Sequence, residues 1–221
     1  MEKKENNKSI LDYSFYMISL FMDARSKKLD DFDESDESMH LISDNKNETS
    51  EEKAKRYDRY IIINRRTISN LKLQKLMYFV EIYYLSKNEK EKELFNSSWS
   101  AWDYGPVNKE LYNYFKKFGS LDITLSDEEI KRGNDICSED KVYIDEVYKL
   151  FGSLSAFDLV TLTHLSTSPW YKIRNSNSNN YDFQKLNDSV IDKKESVKWF
   201  KDTFNFLYTN KKGNNKSNEK E

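Results

Sequence analysis

Leu73-Gln74-Lys75-Leu76-Met77-Tyr78-Phe79, followed by Ala101-Trp102-Asp103-Tyr104-Gly105-Pro106-Val107, decides how this chain reads. In and just after the first stretch Leu73, Leu76, Met77, Val80 and Tyr84 recur at helical spacing and share one apolar face. Ser69 or Asn70 stands where an N-cap is wanted. The second stretch is an aromatic turn. Gly105-Pro106 before Val107, Leu111, Tyr114, Phe115 and Phe118 predicts a helix that starts at the proline, whose missing N–H is no loss in the first turn. Gly119 stands where that helix needs a left-handed terminal residue.

The helical pattern continues in both directions. Leu11, Phe15, Ile18 and Met22 form a stripe behind Ser9, a suitable cap. Ser126-Asp127-Glu128-Glu129 reads as a capping box for a helix kept short by Gly133-Asn134-Asp135. Tyr143, Val147, Leu150 and Phe151 mark another, ended by Gly152. Ser155 caps a stretch with Leu159, Leu162 and Leu165, and Pro169 begins one further turn carrying Trp170. Asp192 and Glu195 fit a capping box for a last helix using Val197, Phe200, Phe204 and Leu207. Fragments near 94–102 and 121–125 allow a hairpin, and no βαβ alternation appears. The expected fold is mainly α: a compact helical domain of about six to eight helices with at most a small β-hairpin.

Residues 30–66 interrupt the pattern. Residues 30–53 crowd Asp and Glu with few apolar residues, a composition too poor in burial to offset ordering entropy. Lys53, Lys55, Arg56, Arg59, Arg65 and Arg66 then interleave with Tyr57 and Tyr60. Such a mixture suits nucleic acid by charge and stacking, or a charged solvated helix face. The formal net charge of −2 favours the face. Ile61-Ile62-Ile63 reads as a helix end or a short strand. The expected organisation is a disordered start over 1–9, one helical domain over 10–208 with a flexible acidic-then-basic insertion at 30–66, and a disordered polar tail over 209–221.

Little in the chain suggests chemistry. Cys137 is the only cysteine, which rules out an intrachain disulfide and a cysteine-built zinc site. The two histidines, His40 and His164, lack converging metal ligands. A Cys137–His164 pair is opposed by the acidic neighbours of the thiol. The five glycines are scattered singly, so no phosphate loop exists. No catalytic, cofactor-binding or metal-binding residue is therefore expected. The start lacks the apolar run of a signal peptide, and no stretch nears the ~20 apolar residues of a membrane span, so a cytoplasmic location without membrane contact is expected. Trp99, Trp102, Tyr104 and Trp170 remain, each either core or an interface anchor.

Several of these pieces occur together, and in the same order, in one known family. Leu71 to Phe79 resembles the core helix of the SocA-like antitoxin family, also called the Panacea domain. Leu94-Phe95, Ala101-Trp102 and Tyr104-Gly105-Pro106-Val107 resemble its central signature, and Leu111-Tyr112 with Phe115 to Gly119 the helix that follows. Ser155-Ala156, Leu159, Thr163-His164, Pro169-Trp170 and Arg174 resemble a later element. The chain departs from the family pattern at 30–66, and at Ser166, where an acidic residue is expected after Thr-His.

The resemblance implies a non-enzymatic antitoxin that neutralises a cognate protein toxin by direct binding. The density of Trp and Tyr around the Trp99–Pro106 turn and in 155–174 then puts part of the contact near Trp99, Trp102, Tyr104, Pro106, His164 and Trp170. His164, after Thr163 and with Pro169-Trp170 five and six residues on, is expected to be a structural residue that ties its helix to the next turn by a ring N–H bond. The alternative is a phage or mobile-element accessory or regulatory protein that binds a host protein or nucleic acid, the latter through 53–66.

Overall fold

The computed structural model describes residues 8–27, 49–88, 93–176 and 187–209. In chain order the elements are α1 (Ile10–Ser26), α2 (Ser50–Asn64), α3 (Asn70–Lys87), β1 (Ser100–Trp102), β2 (Gly105–Val107) and α4 (Lys109–Phe115). They continue with α5 (Asp127–Asn134), α6 (Ser138–Phe151), α7 (Ala156–Thr163), α8 (Pro169–Asn175), α9 (Lys193–Thr203) and α10 (Phe206–Thr209). The fold is mainly α, and its small sheet is an antiparallel pair, β1 with β2.

Helices begin where side chains accept the first free N–H groups. Ser69, Ser126, Ser155 and Asp192 each take one, as their spacing predicts, and Ser168 takes another ahead of Pro169. At Asp192 the box is half made: Glu195 reaches Lys172 at 3.8 Å. Pro169 opens a helix that runs on to Asn175, longer than the single turn expected.

Helix α3 is buried all round, where a single apolar face was expected. It packs against α1, α4, α6, α7, α9 and β2. Its polar residues Asn70, Lys72, Gln74, Lys75, Glu81 and Ser86 are therefore interior as well. Around Phe79 the core is aromatic. Its ring stacks on Phe151 at 4.8 Å, with Phe200 at 6.1 Å and Phe204 at 6.3 Å. Lys72 directs its ammonium to the carbonyls of Asn64, Thr67 (3.1 Å) and Gly152 (2.9 Å), above the ring of Phe21. On the far side, α1 lies on α5 at Gly133, where an added Cβ would sit 2.6 Å from Tyr16 N. That glycine permits helix contact, a role beyond ending α5.

Gly105-Pro106 does not start a helix. It forms β2, and α4 begins at Lys109 behind the cap Asn108. The register explains the exchange. Ala101 lies opposite Pro106 but sends its N–H the other way, to Ser189 O at 3.0 Å. Proline thus occupies a strand position from which the ladder asks no donor. Residues 121–125 form no strand; Ile123 N–H donates to Ile68 O at 2.9 Å.

The acidic part of the 30–66 insertion lies mainly outside the described residues, as do residues 1–7 and 210–221. The basic part is α2, which has no buried residue, and Ile61 to Ile63 are its last turn. Tyr60 OH donates to Asp158 at the start of α7. Arg25 Nε donates to Arg66 O at 3.1 Å, and Arg66 Nη2 returns a bond to Arg25 O. Among the described residues no helix is long and apolar enough to cross a membrane.

Candidate partner-binding face

The β1–β2 hairpin is held from three sides. From α3, Lys75 Nζ donates to Pro106 O at 2.8 Å, and Gln74 Oε1 accepts Asn108 N–H at 2.8 Å. From α8, Trp170 Nε1 donates to Trp102 O at 2.7 Å. Arg174 donates to Ala101 O at 3.1 Å and reaches the carboxylate of Asp103. From the segment before α9, Ser189 O accepts Ala101 N–H, and Ile191 N–H donates to Trp99 O at 2.8 Å. Gly105, at φ +97, closes the turn against Lys75 and Thr163. Asp103 and Tyr104 form the exposed tip of this hairpin.

The candidate residues divide by burial. Trp99 is 1 % exposed, and its indole N–H donates to Glu81 Oε2. It is core and offers a partner nothing. Pro106 is buried under α3, and Trp170 is buried between His164 and the hairpin, so neither presents a contact surface. Tyr104 is 60 % exposed. Trp102 is half-buried and meets Tyr112 edge-on at 4.8 Å. Tyr112 and Leu165 also reach solvent. The sequence offers both only as helix residues, beside Leu111 and His164.

His164 ends α7 half-buried, with its ring stacked on Trp170. The expected ring N–H tie is replaced by this stack, since Nε2 has no hydrogen-bond partner. Burial, then the nearby charges of Lys75 and Arg174, hold the imidazole down to about 4, so it is neutral near pH 7. Cys137 stands in other surroundings, at the N-terminus of α6 beside Asp140, and burial raises its thiol. Among the described residues no group of His, Cys, Asp and Glu could hold a metal ion.

Two further residues escaped the sequence reading. Glu81, 1 % exposed, accepts from Trp99, from Ser97 Oγ at 2.9 Å and from Lys193 Nζ at 2.9 Å. Lys75 is entirely buried, and burial pulls its ammonium down to about 7. Their signal was a charged residue inside an otherwise apolar helical run.

Residues 73–171, from the first turn of α3 to the first turn of α8, match the family described as "Antitoxin SocA-like, Panacea domain". This segment is a SocA-like Panacea domain. The chain is 32 % identical over 131 residues to Antitoxin SocA of Caulobacter vibrioides (strain NA1000 / CB15N). That alignment covers 51 % of this chain and 63 % of the relative, so the chain spans less than two thirds of the relative's length. No solved structure matches the chain. The Panacea segment contains the hairpin, Lys75, His164 and Trp170. Arg174, Ser189 and Lys193, which brace it, lie beyond its end.

Proposed function

We propose that the protein is a non-enzymatic antitoxin that neutralises a cognate protein toxin by binding it directly through the face around Trp102 and Tyr104. The Panacea segment and the similarity to Antitoxin SocA support the antitoxin role. The binding surface rests on one observation: the hairpin's backbone is bonded inward while Tyr104 at its tip is 60 % exposed. An aromatic side chain on a pre-ordered backbone loses little freedom on association, and such residues dominate interface hot spots. Tyr112 beside Trp102, and Leu165 after His164, would extend the patch. A toxin seated there would have its own working surface covered.

The test is growth of cells expressing the adjacent reading frame with and without this chain. Arrest relieved by co-expression, with both proteins co-purifying, supports the reading, and Tyr104→Ala then abolishes relief. Absence of a toxic neighbour would refute it in favour of a host-protein or nucleic-acid partner. Nucleic-acid binding would weaken steeply with added salt.

A further inference from the structure

Lys75 and Lys72 are both buried on α3, and their surroundings differ. Lys72 has three carbonyl acceptors and a ring face, enough for every N–H it carries. Lys75 has one acceptor, Pro106 O, and no carboxylate partner among the described residues. An ammonium buried this way is costly, and an apolar residue of similar volume serves a core better. Packing alone therefore gives no reason for a lysine at this position.

The geometry around it gives one. The turn rests on the lysine stem: a Cβ on Gly105 would lie 2.8 Å from Lys75 Cε and 2.6 Å from Thr163 Oγ1. On the β1 side, two donors from α8 hold carbonyls. On the β2 side, Lys75 holds Pro106 and Gln74 holds Asn108 just beyond the strand.

We propose that Lys75 is the positioning residue of the docking face. Its bond to Pro106 O fixes β2, and so fixes the direction in which Trp102 and Tyr104 leave the surface. The inference rests on the antitoxin reading for its consequence, and on the isolated protein for its structural part.

Lys75→Met keeps the volume and removes the donor. Three readouts are compared with the parent: melting temperature, amide exchange between Ser100 and Val107, and relief of growth arrest by the adjacent reading frame. The expected result is an equal or higher melting temperature, hairpin exchange faster by about tenfold or more with α6 and α9 unchanged, and relief lost. Unchanged hairpin exchange overturns the inference. So does a fall in melting temperature with faster exchange everywhere, which is what a merely structural lysine would give. If Lys75→Met does not fold, Lys75→Leu also removes the donor with a smaller side chain, and parent-like hairpin exchange in that variant overturns the inference too. Tyr104→Ala separates the two levels. Relief retained in Tyr104→Ala refutes the docking reading, while the exchange result for Lys75 stands or falls by itself.

Discussion

The imidazole of His164 lies flat on the indole of Trp170, with ring centroids 3.5 Å apart and planes 6° from parallel. Trp170 passes the contact on to the hairpin through Trp102 O. The C-terminus of α7, the start of α8 and the turn are thus one mechanical unit. Trp170→Ala should cost about 3–5 kcal/mol in urea unfolding. His164→Phe, which keeps a ring face, should stay within about 1 kcal/mol of the parent.

The same stack sets an acid limit. The folded pKa of His164 is lowered from 6.5 to about 4. Its contribution to stability is therefore complete above pH 6.5 and is lost as pH falls through 4. An NMR titration should find the His164 midpoint near 4. The loss of melting temperature over this window should be smaller in His164→Phe.

Lys72 and Lys75 act at the other end of the scale. Burial lowers both from 10.5 to about 7. Between these values the unfolded chain holds protons that the folded chain has released, so stability rises with pH from about 7 towards 10.5. Tyr16, raised from 10.0 to about 12, reverses the trend above pH 10, because its contribution is lost as pH climbs through the folded value. Melting temperature should climb from pH 7 to 9.5, and the climb should shrink in Lys75→Met.

Gly105 and Gly119 both have positive φ, at 97° and 58°, but differ in their surroundings. A methyl group at 105 meets Thr163 and Lys75, whereas at 119 nothing lies within 4 Å. Gly119→Ala should cost about 1–3 kcal/mol from backbone strain alone, because its φ of 58° with ψ of −121° suits glycine and few other residues. Gly105→Ala adds about 1–3 kcal/mol of overpacking, and denaturant titration of both variants reads the difference.

Glu81 joins α3 to Trp99 and to Lys193 at the start of α9. Burial raises its carboxyl pKa, opposed mainly by Lys193. Glu81→Ala leaves the Trp99 indole N–H and Ser97 Oγ without their acceptor while Lys193 keeps Glu93 at 2.6 Å, and should cost about 1–3 kcal/mol in urea unfolding. Trp99→Ala should be more damaging. Tyr104→Ala, at an exposed tip, should leave stability within about 0.5 kcal/mol.

The helices were legible because their signals are local. Ser69, Ser126, Ser155 and Asp192 cap helices at the positions their spacing names. Gly105-Pro106 misled because proline suits both a helix start and a strand position without a ladder donor. Only the pairing of Ala101 with Ser189, 88 residues away, distinguishes them. The site was half legible. Aromatic residues flagged the right turn, yet which of them face inward depends on Glu81 and Trp102 O, partners far along the chain. Lys75 passed as one more charge on an amphipathic helix, because nothing local reveals that β2 covers that face.

Arg25 and Arg66 exchange hydrogen bonds across the excursion between α1 and the linker into α3. The chain leaves the core and returns to it at one place, and α2 buries no residue meanwhile. Helix α2 is therefore a graft on a closed stem. A few glycines joining residue 27 to residue 65 should leave a folded core, forfeiting chiefly the bonds of Tyr60 to Asp158 and Ser155 and the bond of Lys72 to Asn64 O. The stem can likewise accept a segment of another length, so this is where the chain can change what it carries without redesigning what holds it together.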